Sequence, residues 1–224
     1  PIKSSAASDV YKRQLLERGK QLLEDGDRRY IDSVVDSYVM SVLLFTSGTT
    51  GVAKGVMLSQ RNICADIESV TQCLDNDCTD SVLSILPIHH TYECTCDFLE
   101  ILYMGARIAF CDGLRYIAKN VQEYQPTILM LVPLIIENVY GKIMKQASSN
   151  PVKKVVFRCM LWTSGGLQHI GFKNVGKKMF RQVHDTLGGK LRLIIAGAAA
   201  MNPKISKDMN RICLLYTSPS PRDG

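Results

Sequence analysis

Between Leu44 and Leu58 the chain reads LFTSGTTGVAKGVML, which sets hydroxyls, glycines and one lysine between two apolar runs. Thr46, Ser47, Thr49 and Thr50 supply hydroxyl donors, Gly48 and Gly51 let backbone N–H groups turn toward an anion, and Lys54 adds a mobile charge. Those ingredients can wrap a polyphosphate. The stretch is not a Walker A loop, because Ala53-Lys54-Gly55 stands where that motif demands Gly-Lys-Ser/Thr. Loops of Ser, Thr and Gly between strands also serve as plain solvated turns, so the donors alone leave both readings open.

Two further stretches place polar or small residues at the ends of apolar runs. His89, His90 and Glu93 follow the run ending at Leu86, and Gly197, Ala198 and Ala199 follow the run ending at Ala196. Taken alone, His90 reads as a hydrogen-bonded histidine at a strand end, His89 as structural, and residues 197–200 as a tight strand-to-helix turn. Glu93 suits orientation of a helix start or a neighbouring side chain. His184 lies off the apolar face of its segment and is expected in solvent, whereas Trp162 is expected in the core. Cys94 and Cys96 stand near the two histidines, but no second Cys or His pair at zinc-ligand spacing supports a metal site.

The elements that must carry these residues alternate. Val39 to Phe45 reads as a buried strand entering the Thr/Ser/Gly loop, Gly55 to Leu58 as a short strand leaving it, and Asn62 to Leu74 as a helix. A strand from Ser81 to Leu86 precedes a helix near Asp97 to Met104, stopped by Gly105. Then come a strand at Arg107 to Cys111, a helix near Leu114 to Tyr124 and a strand at Thr127 to Val132. Pro133 fits the first turn of a helix reaching about Gln146, and Asn150-Pro151 caps another. Val175 to Leu187 carries one apolar face, and Gly188-Gly189 ends it before a strand at Lys190 to Ala196. This order predicts an α/β fold with mainly parallel sheets covered by helices.

With 46% hydrophobic and 21% charged residues, the chain has the balance of a globular protein and excludes disorder. The longest apolar run, Thr127 to Ile136, is too short to span a bilayer, so no transmembrane segment is expected and peripheral membrane contact stays open. The first residues lack the apolar core and cleavage site of a secretory signal. The eight cysteines, mostly inside apolar segments, suit reduced thiols packed as small core residues, and a cytoplasmic location follows.

Both ends have a further reading. Asp9 to Gln14 can be encoded by GAT GTG TAT AAG AGA CAG, and the reverse complement of that DNA, in a shifted frame, encodes Cys213 to Ser218. One DNA element in two orientations accounts for both, so residues 1–14 and 213–224 are expected to be translated sequencing adapter, leaving 15–212 as the native part. Without these ends, which hold four basic and two acidic residues, the formal charge falls from +6 to +4. No Lys/Arg cluster remains, so nucleic acid is not an expected partner.

The run FTSGTTGVAKGVMLSQRN resembles the phosphate-binding motif of the adenylate-forming superfamily, which usually has Pro where Ala53 stands. LPIHHTYE (Leu86 to Glu93) resembles the Leu-Pro-x-x-His-x-x-Glu element of long-chain fatty acyl-CoA synthetases. QPTILMLVPLIIENVYGKI resembles the family's Pro-Thr strand and Val-Pro helix, and LRLIIAGAAAMNP its adenine-side strand end. These elements occur in family order. The resemblance implies that residues 15–212 are part of the large N-terminal domain of an enzyme that activates a fatty acid with ATP and passes the acyl group to coenzyme A. It assigns Thr46, Ser47, Gly48, Thr49, Thr50, Gly51 and Lys54 to the β- and γ-phosphates with Mg²⁺, His90 to the carboxylate site, and Gly197, Ala198 and Ala199 to adenine. Trp162 and the run around Leu131 to Ile136 stand as candidate walls of an acyl tunnel against a default of core packing. The family's Tyr-Gly-x-Thr-Glu motif, ribose-binding aspartate, hinge and C-terminal catalytic lysine do not occur, so the polypeptide as written is expected not to complete the reaction. Competing readings are a ligase that loads a carrier protein and a non-enzymatic nucleotide-binding module.

Overall fold

The computed structural model describes residues 3–46, 53–172, 175–197, 199–212 and 214–217. Helix α1 (Lys3–Glu24) comes first, followed by an antiparallel hairpin of β1 (Met40–Thr46) and β2 (Lys54–Ser59) in which Thr46 stands opposite Lys54. Ser59 and Asn62 close a capping box that starts α2 (Gln60–Cys73), so the hairpin runs directly into a helix that packs against it.

The larger sheet begins at β3 (Ser81–Ser84). A helical segment follows, comprising a π-helical stretch Glu93–Leu99 and α3 (Glu100–Tyr103), and leads to β4 (Arg107–Phe110). Next are α4 (Ile117–Tyr124), β5 (Ile128–Leu131), α5 (Pro133–Ala147), α6 (Pro151–His169), α7 (Val175–Met179), α8 (Arg181–Thr186), β6 (Leu193–Ala196), α9 (Pro203–Arg211) and β7 (Leu215–Thr217). The strands lie in the order β4-β3-β5-β6-β7, and every pairing is parallel. Proline at the first turn of α5, α6 and α9, with Asn150 and Asn202 capping the last two, places these starts where the sequence predicts them or just beyond a predicted turn.

Alternate residues of each strand feed opposite faces. Val82, Ile128, Met130, Leu193 and Ile195 pack with Ile101 under the Tyr92–Tyr103 segment. Leu83, Leu129, Leu131, Ile194 and Ala196 pack with Val121, Ile136, Leu161 and Met209 under the other helices. Burial on both faces is why these strands read as unbroken apolar runs.

Five expectations need correction. The strand read as buried over Val39 to Phe45 forms as β1, but Val39, Met40, Leu43 and Phe45 are exposed because its hairpin lies outside the parallel sheet. The single helix over Val175 to Leu187 is broken at Phe180, whose backbone leaves the helical region. The break shifts the helical phase, so His184 is not in solvent but 3% exposed, with Nε2 2.8 Å from the Ile212 carbonyl oxygen. Trp162 is 78% exposed rather than in the core, because α6 packs through Leu161 and Ser164. The described cysteines are free thiols, but only some serve the core: Cys96 and Cys111 are half-buried and pack against it, Cys94 is half-buried, and Cys64, Cys73, Cys78 and Cys159 are exposed, while Cys213 lies outside the described residues. Apolar neighbours in sequence did not bury the exposed ones because helix faces, not segments, select what is covered.

The amino ends of three strands are tied by one polar cluster. Asp80, preceding β3, accepts from Arg192 Nε at 3.0 Å and from the Thr127 hydroxyl at 2.6 Å. Thr127 precedes β5 and Arg192 precedes β6; the Thr127 hydroxyl also accepts from Ser81 N–H at 2.9 Å, and its carbonyl accepts from Arg192 N–H at 2.8 Å. Burial pushes the Asp80 carboxyl upward, but Arg192, Thr127 and the Asp77 N–H together hold it below the ordinary carboxylate value. A depressed acid stabilises the fold fully above the unfolded carboxylate pKa and loses that contribution as pH falls through the folded value. Asp80→Asn is therefore expected to cost about 2 kcal/mol at neutral pH, in the range for hydrogen bonds to charged groups. Urea unfolding of both proteins from pH 7 to pH 3 checks this, and the gap between them should close at the acid end.

Candidate functional site

Chain connections decide where a parallel sheet binds ligands. From β3 the chain moves to β4 on one side, and from β5 it moves to β6 on the other. The carboxyl ends of β3 and β5 thus flank a crevice at a topological switch point, the usual ligand position in open α/β sheets. The loop after β3 carries Pro87, His89 and His90, β5 leads into Val132-Pro133, and β6 ends at Gly197.

His90 is exposed and sits one residue before a helical turn, with its N–H bonded to the Pro87 carbonyl oxygen at 2.9 Å. Its Nδ1 accepts from Tyr92 N–H at 3.3 Å. An accepting Nδ1 puts the proton of the neutral imidazole on Nε2, which makes that atom a donor suited to a carboxylate oxygen. His89 is exposed as well.

Tyr92, which sequence reasoning passed over, brings the His90 loop and the β6 end together. Its hydroxyl donates to the Ile195 carbonyl oxygen at 3.2 Å, and its ring lies over Gly197. A Cβ at 197 would stand 2.6 Å from Tyr92 Cε2, so the glycine is required by the phenol ring on that side. Gly197 N–H bonds back to the Leu131 carbonyl oxygen at 3.2 Å, extending the β5–β6 pairing to the crevice. Ala199 is exposed, and Ala198 lies outside the described residues.

The other half of the expected site is only partly visible. Ser47, Gly48, Thr49, Thr50 and Gly51 lie outside the described residues, and Thr46 is placed by its backbone at the end of β1. Lys54 opens β2 opposite Thr46, is exposed, and has no ion pair among the described residues. A lysine left unpaired beside a hydroxyl-rich loop fits a partner that is itself an anion.

Behind His90, the π-helical stretch and the first residue of α3 bury three acids completely: Glu93, Asp97 and Glu100. Ser84 Oγ donates to Glu93 Oε1 at 2.5 Å and Asn76 Nδ2 to Glu100 Oε1 at 3.3 Å, so Glu93 ties the end of β3 to the helix that follows it. Glu93 Oε2, Glu100 Oε2 and both Asp97 oxygens find no hydrogen-bond partner among the described residues. Burial, and then the neighbouring acids Glu93 and Glu100, push Asp97 up to about 9; burial likewise raises Glu93 and Glu100. Asp97 therefore holds its proton at neutral pH rather than a charge. Their i, i+4, i+7 spacing was readable, but their facing the core was not. No group of three or more His, Cys, Asp or Glu among the described residues is placed to hold a metal ion.

A groove of about 1030 Å³ lies elsewhere, between α6 and α9, lined by Trp162, Gly166, Met201, Pro203 and Arg211 among others. Of the residues singled out above, only Trp162 lines it, so the strand-end crevice is the candidate site.

The fold is that of adenylate-forming enzymes. Solved structures with the same fold include ATP-bound MatB from Rhodopseudomonas palustris, at TM-score 0.53 and 20% identity over 81% of this chain and 29% of that one. VinN shares it at TM-score 0.55 and 16% identity, over 90% and 40%. The family model described as AMP-binding enzyme matches residues 4–217, and the chain belongs to that family. Among curated relatives, long-chain-fatty-acid–CoA ligase 1 of Homo sapiens is 26% identical over 223 residues, 91% of this chain and 32% of the relative. A chloroplastic long-chain-fatty-acid–[acyl-carrier-protein] ligase of Arabidopsis thaliana is 33% identical over 133 residues, 59% and 18%. The chain thus spans at most about a third of the length of these relatives.

Two outcomes test the site's construction. Gly197→Ala should displace the Tyr92 ring and cost about 1–3 kcal/mol, the usual penalty for overpacking, read as a lower urea midpoint. Asp97→Asn mimics the protonated acid. A raised acid favours the fold below the unfolded pKa and that advantage is lost as pH rises toward about 9. Thermal unfolding of the variant should therefore change less between pH 6 and pH 9 than that of the parent.

Proposed function

We propose that the protein containing this chain is an ATP-dependent, AMP-forming fatty acid ligase. A fatty acid carboxylate attacks the α-phosphorus of ATP and pyrophosphate leaves; the thiol of coenzyme A then attacks the acyl carbon of the acyl-AMP, forming the thioester and expelling AMP. The observation that carries this reading is the convergence of the His90 loop and the Gly197 strand end, joined by Tyr92, at the switch point of the sheet. Family membership and relatives whose names specify long-chain fatty acids support it.

In this scheme His90 Nε2–H donates to the carboxylate and positions it. Backbone groups of 197–199 contact adenine on the side of Gly197 away from the Tyr92 ring. Lys54 and the hydroxyls and N–H groups of Thr46 to Gly51 stabilise charge on the departing β- and γ-phosphates, where Mg²⁺ when bound neutralises further charge. Such a step asks for fixed charge and donors more than for a protein nucleophile.

Transfer to an acyl-carrier protein is the second reading, favoured by the Arabidopsis thaliana relative. The adapter reading of residues 1–14 and 213–224 rests on their coding pattern, and the uninterrupted reading frame of the source DNA tests it.

The enzyme that carries this chain should release pyrophosphate only when ATP, Mg²⁺ and palmitate are all present. Lys54→Ala and His90→Ala should each slow release, by about 100-fold for a lost transition-state donor. Tight ATP binding with no palmitate-dependent release would leave a nucleotide-binding module instead. Supplying coenzyme A or an acyl-carrier protein as acceptor then separates the two ligase readings.

A further inference from the structure

A buried carboxyl group stabilises a fold less than an apolar side chain of its size, so an acid at zero exposure calls for a task beyond packing. Three such acids follow β3. Glu100 is bonded to Asn76, ahead of the strand, whereas Glu93 accepts from the Ser84 hydroxyl at the strand's end, nine residues back. That bond joins the two ends of the segment 85–92, which holds His90.

Within the segment, the bonds described for His90 are local. Its N–H donates to the Pro87 carbonyl oxygen, its own carbonyl accepts from Cys94 N–H at 2.9 Å, and Nδ1 accepts from Tyr92 N–H at 3.3 Å. Local bonds fix the shape of a loop but not where it stands over the sheet. Two side chains supply that placement: Tyr92 through the Ile195 carbonyl on β6, and Glu93 through Ser84 on β3. The turn that Glu93 opens is π-helical, a wider coil found frequently at functional sites.

Asp97 accounts for how Glu93 is held without a cation. Glu93 has no ion pair among the described residues, and Glu93 Oε2 and both Asp97 oxygens lack donors as carboxylates. Burial raises Asp97 first and the neighbouring Glu93 raises it further, while on Glu93 burial is opposed by Ser84, by Asp97 and by the Leu86 and Ile85 N–H groups. A proton on Asp97 supplies the missing donor, and Glu93 accepts it.

We propose that Glu93 is a positioning residue: by accepting from Ser84 it closes the segment 85–92 on β3 and so sets where His90 Nε2 stands against the acyl carboxylate. What His90 does there rests on the acyl-activating reading; that Glu93 holds the loop does not.

In the enzyme that carries this chain, backbone hydrogen exchange over residues 88–94 and palmitate-dependent pyrophosphate release are measured for Glu93→Ala, Glu93→Gln and Ser84→Ala. The amide of Glu93→Gln keeps an acceptor for Ser84 and turns its donors toward Asp97, so both readouts should stay near those of the parent. Glu93→Ala opens the loop, and the His90, Tyr92 and Cys94 amides should exchange about ten-fold faster for the lost bond. Its kcat/KM for palmitate should fall about 100-fold, the cost of a group displaced by about 1 Å, with KM for ATP unchanged. Ser84→Ala should move both readouts the same way, by about ten-fold, and decides the matter if Glu93→Ala fails to fold. Since Glu93 acts through His90, Glu93→Ala combined with His90→Ala should be no slower than His90→Ala alone. The proposal is overturned by unchanged exchange in Glu93→Ala and Ser84→Ala, by Glu93→Gln as impaired as Glu93→Ala, or by losses from the two sites that multiply. A parent that releases no pyrophosphate with palmitate refutes the acyl-activating reading instead, and the exchange result then decides by itself whether Glu93 holds the loop.

Discussion

The parallel sheet depends on how Asp80, Thr127 and Arg192 meet. Each of these residues stands immediately before a strand, and each strand is only four residues long. At roughly 3.3 Å per residue, an axial slip at the amino end would reappear undiminished about 13 Å away at the carboxyl end. Thr127 is the hub, since its N–H, carbonyl and hydroxyl together bond to the residues that begin β3 and β6. β3 and β5 share few ladder bonds, and the hydroxyl supplies an acceptor that the backbone there does not. The carboxylate of Asp80 draws the third strand in through Arg192.

What this alignment delivers lies at the other edge. Ser84, Leu131 and Ala196 end their strands side by side, and the loops leaving them diverge because the chain reverses its direction of travel across the sheet between β3 and β5. Tyr92 crosses the opening so formed, anchored on Ile195 and seated on Gly197. The buried acids behind it form a second anchoring layer: Glu93 grips Ser84 through a hydrogen bond, while Asp97 keeps its proton in a site that disfavours charge. The crevice therefore rests on two polar clusters of opposite character, one at the amino edge whose acid is held below the ordinary carboxylate value and one near the carboxyl edge whose acids are all pushed above it.

The helices on the other face of the sheet are less symmetrical in what they present. Leu161 and Phe180 meet the core, and the Phe157 and Phe180 rings pack edge to face at 5.2 Å. The same helix α6 turns valines and Trp162 outward and borders the groove toward α9. Its amino-acid pattern serves two surfaces at once, and the core uses only one of them.

Much of the fold was legible in the sequence because local rules govern it. Apolar runs broken by Pro, Gly and Asn marked β3 to β6, α5 and α6 closely, since doubly covered parallel strands and capped helices leave plain signatures. The ordered motifs placed the chain in its family, whereas the donors of the hydroxyl-rich loop between β1 and β2 by themselves left a phosphate grip and a solvated turn equally open. Tertiary structure alone decided that Tyr92 rather than open space lies over Gly197, and that His184, Glu93, Asp97 and Glu100 are buried. It likewise decided that Trp162 and four cysteines are not buried. Burial of a polar or sulfur side chain depends on which face its helix turns inward and on what crosses from distant strands. Neither is encoded in the residue's own neighbourhood, which is all that spacing and composition can read.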